Sequence, residues 1–299
     1  MNILFRVDSS SEIGLGHLMR CLVLAEQYEK DDIVFAVKNL EGNANQKIIS
    51  EGFELVVLNN NSVDELVQKI NELKVGMVVF DHYGIDDKFE KVVKDTTAVQ
   101  ILSLDDTYER HYCDILLNHN IYADVEKYKY LVPHFCEIRC GEKYALIRDE
   151  FKKIKPKNRK INKNNLTVFV AMGGSDVNNI NLEVLKVLID ISYTTINLAT
   201  TNINSNIGTL LEFSKLYPQV NIHINHPNIA KLMNDSDFAI ITPSVTTYEV
   251  MALNLPFIAI QTADNQHYLA NYLENNNFLL ARTWNSNHIQ TLIQSLVDL

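Results

Sequence analysis

The sequence predicts an α/β protein built as two doubly wound domains of similar size that face each other across a cleft. Three observations carry this reading. Short runs rich in Val, Ile, Leu and Phe alternate with segments of helical period along the whole chain, as parallel strands and their crossover helices do. The alternation restarts after a polar, basic stretch without apolar period, "KKIKPKNRKINKNN", residues 152–165. Each half opens with a strand that runs into a glycine turn, "NILFRVDSSSEIGLG" and "LTVFVAMGG". At 299 residues the chain is long enough for two sizeable cores. The boundaries expected are 1–151 for the first domain, 152–165 for a linker and 166–299 for the second domain.

In the first half, "NILFRV" reads as a strand and leads through a glycine loop into a helix with Leu18, Cys21, Leu22, Ala25 and Tyr28 on one face. "DIVFAV", "FELVVL", "VGMVVFD", "AVQILSLD" and "CDILLN" read as further strands, with "VDELVQKINEL" and "DKFEKVVK" as helices between them. The second half repeats this Rossmann-like grammar. "LTVFVA", "TINLATT", "VNIHINH", "DFAIIT" and "PFIAIQT" read as strands, and "NLEVLKVLIDI", "NIAKLMNDS" and "TTYEVMALN" as helices. The remainder reads as helical, and whether its last helix docks on the first domain stays open. The two halves share no repeated spacing, so they do not read as a duplication.

Composition narrows the function classes. A formal net charge of −10 argues against a nucleic-acid or membrane-surface role, though not against a nucleotide, which needs only a few local donors. Cys136 and Cys140 in "CEIRC" have metal-ligand spacing, but no second pair matches them, so the four cysteines read as reduced thiols. The first residues read as a strand and no apolar run approaches the length of a membrane span; a cytoplasmic protein is expected.

Ligands of open α/β sheets collect beyond the carboxyl ends of strands, where loops meet helix N-termini. Four segments lie there. Gly14-Leu15-Gly16-His17 is no dinucleotide fingerprint, since a third glycine and an acidic ribose clamp are missing. On spacing alone it is a tight turn with His17 at the surface. Alternatively it presents a general base, because a helix N-terminus disfavours the imidazolium and keeps the ring able to take a proton. "FDHYG" supplies Asp81, His82 and Tyr83, and "LDDTYERHYCD" supplies Asp105, Asp106 and His111. These are candidate ligands of a metal-dependent phosphoesterase, but strand-end aspartates more often cap turns, so no metal is expected. Tyr83 is a candidate to hydrogen-bond substrate. In the second half, "MGGSD" sets Gly173, Gly174 and Ser175 after a buried strand, and the hydroxyl-rich loop Thr242 to Thr247 opens a helix bearing Glu249. Backbone amides and hydroxyls there suit a diphosphate, and a carboxylate one turn into the helix suits the two hydroxyls of a ribose. Asn265 and Gln266 follow the next strand. A hydroxyl-rich helix start is by itself a capping feature; the order of these motifs within one domain is the specific signal.

That order resembles the nucleotide-binding half of GT-B glycosyltransferases, and of MurG-like enzymes in particular. "LFRVDSSSEIGLGHLMRCLVLAEQY", "FDHYGI", "CDILLN", "EIRCGEKYALIRDEF", "AMGGSD" and "NIAKLMNDS" narrow the resemblance to the PseG family of UDP-2,4-diacetamido-2,4,6-trideoxy-β-L-altropyranose hydrolases of pseudaminic acid biosynthesis. The likeness extends from Met1 to about Gln266; the tail beyond matches little. It implies a GT-B-like fold and a UDP-sugar substrate, with no cofactor and a monomer as the default. It implies His17, in the turn with Gly14 and Gly16, as the base that activates water at the anomeric carbon. Glu249 would bind the uridine ribose, and Asn265, with Gln266 beside it, the sugar. Gly173, Gly174, Ser175 and the loop Ser244 to Thr247, including Thr246, would hold the pyrophosphate. The loop around His226 would meet uracil through its backbone, and Tyr83 would reach the sugar. Pro243 departs from the family pattern, where a small residue stands. The alternatives are a GT-B glycosyltransferase with an unidentified acceptor, or a UDP-sugar-binding sensor without turnover.

Overall fold

The structure, a computed structural model, describes residues 1–192 and 194–298. Tyr193 and Leu299, both in the expected second domain, lie outside the described residues. The chain divides into two compact units, Met1–Leu146 and Ile147–Leu299. Their arrangement as parallel-sheet α/β units is the architecture the alternating runs predict.

The first unit is one parallel sheet of β1 (Asn2–Val7), β2 (Ile33–Lys38), β3 (Glu54–Leu58), β4 (Val75–Asp81), β5 (Gln100–Leu104), β6 (Ile115–Asn118) and β7 (Glu137–Cys140), in the order β3-β2-β1-β4-β5-β6-β7. Strand order reverses between β1 and β4, which creates the crevice at carboxyl ends where α/β sheets bind ligands. The register pairs Val7 with Asp81, so the end of β4 lies beside the end of β1. Helices α1 (Gly16–Ala25) and α2 (Asn45–Ser50) cover one face, where Leu18, Cys21 and Leu22 pack with Phe5, Val7 and Val79. Tyr28 lies past the end of α1 and packs half-buried against the same core. Helices α3 (Val63–Glu72) and α4 (Asp87–Thr97) cover the other face over Val78, Phe80 and Ile101. Burying both faces explains why the strands read as continuous apolar runs rather than alternating ones.

The second unit opens with α5 (Asp149–Lys153) and forms a parallel sheet of β8 (Leu166–Ala171), β9 (Thr194–Thr200), β10 (Val220–Ile224), β11 (Phe238–Ile241), β12 (Phe257–Ile260) and β13 (Leu279–Ala281), in the order β10-β9-β8-β11-β12-β13. Its helices are α6 (Ile180–Leu188), α7 (Ile207–Leu216), α8 (Ile229–Asp235), α9 (Val245–Ala252), α10 (His267–Asn275) and α11 (Ser286–Val297). Residues of α6, α7 and α11 pack on one face of this sheet. Phe151 of α5 packs on the other with residues of α8, α9 and α10.

Several elements depart from the sequence reading, which contains no counterpart of strand β7 or of helices α2, α5 and α7. The segment after Gln266, read as helical throughout, contains edge strand β13, whose three residues are too few to show a period. The last helix, whose docking was left open, buries Ile289, Ile293 and Leu296 against Val184 and Leu188 inside the second unit. The basic stretch behind the expected linker is also anchored. Arg159 donates to Leu253 O at 2.7 Å, Asn234 O at 3.0 Å and Ser236 O at 3.0 Å. A guanidinium thus satisfies carbonyls at the C-terminal ends of α8 and α9, where a cation is favoured. Among the described residues no helix is long and apolar enough to cross a membrane.

Candidate active site

His17 is buried at 7% exposure, not a surface residue of the turn. The turn that delivers it needs glycine at Gly14, whose φ is +80° and whose N–H donates to Ser10 O at 2.9 Å. Gly16 then begins α1, one residue ahead of the imidazole. His17 Nδ1 lies 2.6 Å from Asp81 Oδ1. Burial alone would raise the Asp81 carboxyl, but the charge of Arg20 and the contact with His17 overcome it and hold the group well below the usual carboxylate range. Asp81 is therefore an acceptor only and Nδ1 donates to it; Arg20 Nη2, 3.0 Å from the same nitrogen, directs its hydrogen to Asp81 Oδ1 at the shorter 2.6 Å. That tautomer leaves the lone pair on Nε2, which no hydrogen bond among the described residues engages.

Arg20, one helical turn after His17, completes the network. Its Nε donates to Asp81 Oδ2 at 2.6 Å, its Nη2 to Asp81 Oδ1 at 2.6 Å, and its Nη1 to Asp106 Oδ2 at 2.6 Å. Asp106 in turn accepts from the Tyr83 hydroxyl at 3.0 Å, and the Tyr83 ring stands edge-on to the imidazole, centroids 4.6 Å apart at 89°. Four segments thus lock one ring: α1 from below, the end of β4, the loop after β4 and the loop after β5. The sequence reading singled out His17 and Tyr83. It weighed Asp81 and Asp106 only as metal ligands or caps, and it missed Arg20. A search for a charge i+3 from the histidine on the helix would have found Arg20, because residues three apart share a helix face.

The other titratable residues of these loops do structural work. Asp105 accepts the N–H groups of Thr107 at 3.1 Å and Tyr108 at 2.8 Å and the Tyr128 hydroxyl at 2.5 Å. Burial pushes its carboxyl up, but His111, Tyr128 and these donors hold it down at about 2. His111 Nδ1 lies 2.8 Å from Glu90 Oε1, and although burial disfavours its charge, Asp105 and Glu90 push its pKa up to about 10. His82 Nδ1 accepts from Gly84 N–H at 2.9 Å, which leaves Nε2–H to donate to Asp8 Oδ2 at 3.1 Å. Among the described residues no three His, Cys, Asp or Glu side chains are disposed to hold one metal ion. The four cysteines are free thiols, and Cys136 lies 3.7 Å in Sγ–Sγ distance from Cys113.

The second unit gathers the remaining sequence candidates on loops after β8, β10, β11 and β12. Gly173 takes φ +86°, a conformation that favours glycine. Gly174 O accepts from Thr201 Oγ1 at 3.0 Å and from Thr200 Oγ1 at 3.3 Å, which pins the turn, and Ser175 beside it is half-buried. Asp176 caps α6 through Ile180 N–H at 2.8 Å and Asn181 N–H at 2.9 Å, and burial still pushes it up to about 6. Ser244 precedes α9, and its N–H donates to Thr247 Oγ1 at 3.3 Å. Thr247 is fully buried, whereas Ser244 and Thr246 are half-buried. Glu249 is buried and accepts from Arg148 Nε at 2.7 Å; burial raises its carboxyl and Arg148 draws it back. His226 Nδ1 accepts from Asn228 N–H at 3.1 Å. Asn265 is exposed in the turn after β12, while Gln266 folds back, its Oε1 accepting from Thr262 N–H at 2.8 Å. A cavity of about 340 Å³ opens beside this turn, between Asn178, Thr262, Arg282 and Trp284, and contains none of the residues singled out from sequence.

No family model matches the chain. Over 273 residues it is 42% identical to the UDP-2,4-diacetamido-2,4,6-trideoxy-β-L-altropyranose hydrolase of Campylobacter jejuni, covering 91% of this chain and 96% of that protein. The chain belongs to this hydrolase family. Membership agrees with the resemblance drawn from its motifs. Among solved structures, the UDP complex of Anabaena HepE superposes with a TM-score of 0.64 at 14% identity, covering 100% of this chain and 90% of that one. The spinosyn rhamnosyltransferase SpnG does so with a TM-score of 0.62 at 10% identity, covering 100% and 92%. The hydrolase-family chain thus has the GT-B fold of glycosyltransferases.

Proposed function

We propose that this chain hydrolyses UDP-2,4-diacetamido-2,4,6-trideoxy-β-L-altropyranose, the substrate named for its 42%-identical relative, as a step of pseudaminic acid biosynthesis. The observation that carries the mechanism is the His17 Nδ1 contact of 2.6 Å with Asp81, whose carboxyl the Arg20 charge and the His17 contact hold below the usual carboxylate range against burial. It supplies an imidazole with its basic nitrogen free and its orientation locked, as a general base requires. His17 Nε2 takes a proton from water as the water oxygen attacks C1. The bond from C1 to the phosphate oxygen breaks with inversion, and its electron pair leaves on UDP. Gly173, Gly174, Ser175 and the start of α9 hold the diphosphate, mainly through backbone N–H groups, since the Thr247 side chain is fully buried. Glu249 receives the ribose, the His226 loop the base, and Asn265 and Tyr83 the sugar. UDP is a good enough leaving group that no metal is required. The reading keeps the cytoplasmic location and monomeric state expected from sequence, and free thiols at all four cysteines suit a reducing compartment.

Turnover in ¹⁸O-water, followed by NMR without acceptor or metal, tests this. Label on the anomeric oxygen of the sugar, with release of UDP, is the expected result. Label on UDP means attack at phosphorus and removes His17 from the reaction. His17→Ala is expected to lower kcat by about 10²–10⁴ with KM little changed; wild-type kcat in that variant overturns the assignment of the base.

A further inference from the structure

The segment that opens the second unit is the end of the stretch "EIRCGEKYALIRDEF", and it carries a chain of contacts to which the sequence reading gave no role. Arg148 precedes α5 and donates from Nε to Glu249 Oε1 at 2.7 Å, while its Nη1 lies 2.7 Å from Glu150 Oε1. Its guanidinium lies over the Phe151 ring, 4.9 Å from the centroid, and that ring is buried in the core beneath α8 and α9. The other oxygen of Glu150, Oε2, accepts the Ala230 N–H at 3.1 Å in the first turn of α8. Glu249 belongs to α9, and α8 begins three residues after His226. The series Glu249, Arg148, Glu150, Ala230 therefore ties the buried carboxylate of one loop-helix element to the start of the next.

We propose that Arg148 and Glu150 are positioning residues that hold the Glu249 carboxylate at a fixed distance from the His226 loop, and thereby set selectivity for a ribonucleoside diphosphate over its 2′-deoxy analogue. The inference rests on the reading of Glu249 as the ribose acceptor. Arg148 occupies Oε1 along a defined direction, and among the described residues no hydrogen bond engages Oε2, which is left to accept ribose hydroxyls. A nearly fully buried carboxylate without its cation moves toward the protonated form, because desolvation disfavours the charge. A protonated Glu249 is the weaker acceptor, so removal of Arg148 reaches the ligand only through Glu249. The planar fork of arginine serves two carboxylates at once, which a lysine cannot reproduce.

Calorimetric titration of the full chain with UDP and with 2′-deoxy-UDP tests this, using wild type, Arg148→Met, Arg148→Lys, Glu150→Gln and Glu249→Gln. A hydrogen bond to a charged acceptor predicts that wild type prefers UDP by about 10–100-fold. Arg148→Met is expected to weaken UDP by about tenfold and bring the UDP to 2′-deoxy-UDP ratio close to one, with the effect on turnover in KM and not in kcat. Arg148→Lys recovers part of the ratio, and Glu150→Gln lowers it several-fold. A wild-type ratio in Arg148→Met overturns the proposal. Should Arg148→Met not fold, an unchanged ratio in both Arg148→Lys and Glu150→Gln overturns it equally. Wild type that does not bind UDP, or Glu249→Gln that binds both nucleotides as wild type does, removes the ribose reading itself, a failure distinct from loss of the strap alone.

Discussion

Asp81→Asn replaces one oxygen by an amide nitrogen at the point where three nitrogen donors converge. His17 Nδ1 and Arg20 Nη2 both reach Oδ1 at 2.6 Å, and Arg20 Nε reaches Oδ2 at 2.6 Å. The asparagine has one acceptor for two positions that each need one. With its oxygen at the Oδ1 position, its NH₂ meets Arg20 Nε, donor against donor. With its oxygen at the Oδ2 position, its NH₂ faces His17 and forces the lone pair onto Nδ1, leaving Nε2 protonated and unable to act as a base. Arg20 opposes both arrangements, through Nε in the first and Nη2 in the second, so it does not choose between them; the neutral amide no longer holds His17 Nδ1 as a donor, and the inverted tautomer becomes populated. An inverted tautomer of this kind costs about 10⁴ in kcat in a serine-protease triad, and loss of a positioned base costs about 10²–10⁴ generally. The expected result is a kcat lowered by that range with KM within about threefold. Breaking a buried pair also destabilises by about 3–5 kcal/mol, so the circular dichroism and thermal midpoint of the variant are measured alongside. A folded Asp81→Asn enzyme with kcat within tenfold of wild type refutes the tautomer reasoning.

Three further outcomes follow from the same structure. Glu249→Gln is expected to raise the Kd for UDP about tenfold, the cost of one charge-assisted hydrogen bond, without lowering kcat at saturation; calorimetry and steady-state kinetics check this. His111, pushed up to about 10 in the folded state from an ordinary value of 6.5, contributes stability that is fully present below pH 6.5 and is lost as pH rises through 10. The thermal midpoint of wild type should fall by several degrees across that window, and His111→Gln should show a lower midpoint at pH 6 and a flatter dependence; parallel curves contradict the linkage. EDTA should leave turnover unchanged, and a rate restored only by Mg²⁺ or Mn²⁺ would return Asp81 and Asp105 to the role of metal ligands.

The alternation of apolar runs and helical periods determined the fold class, because strands buried on both faces and amphipathic crossover helices leave local, periodic signatures. Residue order within short loops likewise marked Gly14 to His17, the turn at Gly173 and the helix start at Ser244, each a local solution to satisfying backbone groups at a strand end. Strand β13 escaped because three residues carry no period. What only the tertiary structure decided is which of these residues meet. His17 and Asp81 stand 64 residues apart and touch because β1 and β4 are neighbours at the reversal of strand order. Arg148 and Glu249 stand 101 residues apart and meet where α5 packs with α9. Packing also supplied partners that no motif shows: Gln266 Oε1 accepts from Thr262 N–H in its own turn, and Thr247 is fully buried with its Oγ1 accepting from Ser244 N–H. A motif records which groups a loop offers. Long-range pairing and burial decide which of those groups are already consumed, and the electrostatics of a buried carboxylate beside an arginine exist only after the chain has folded.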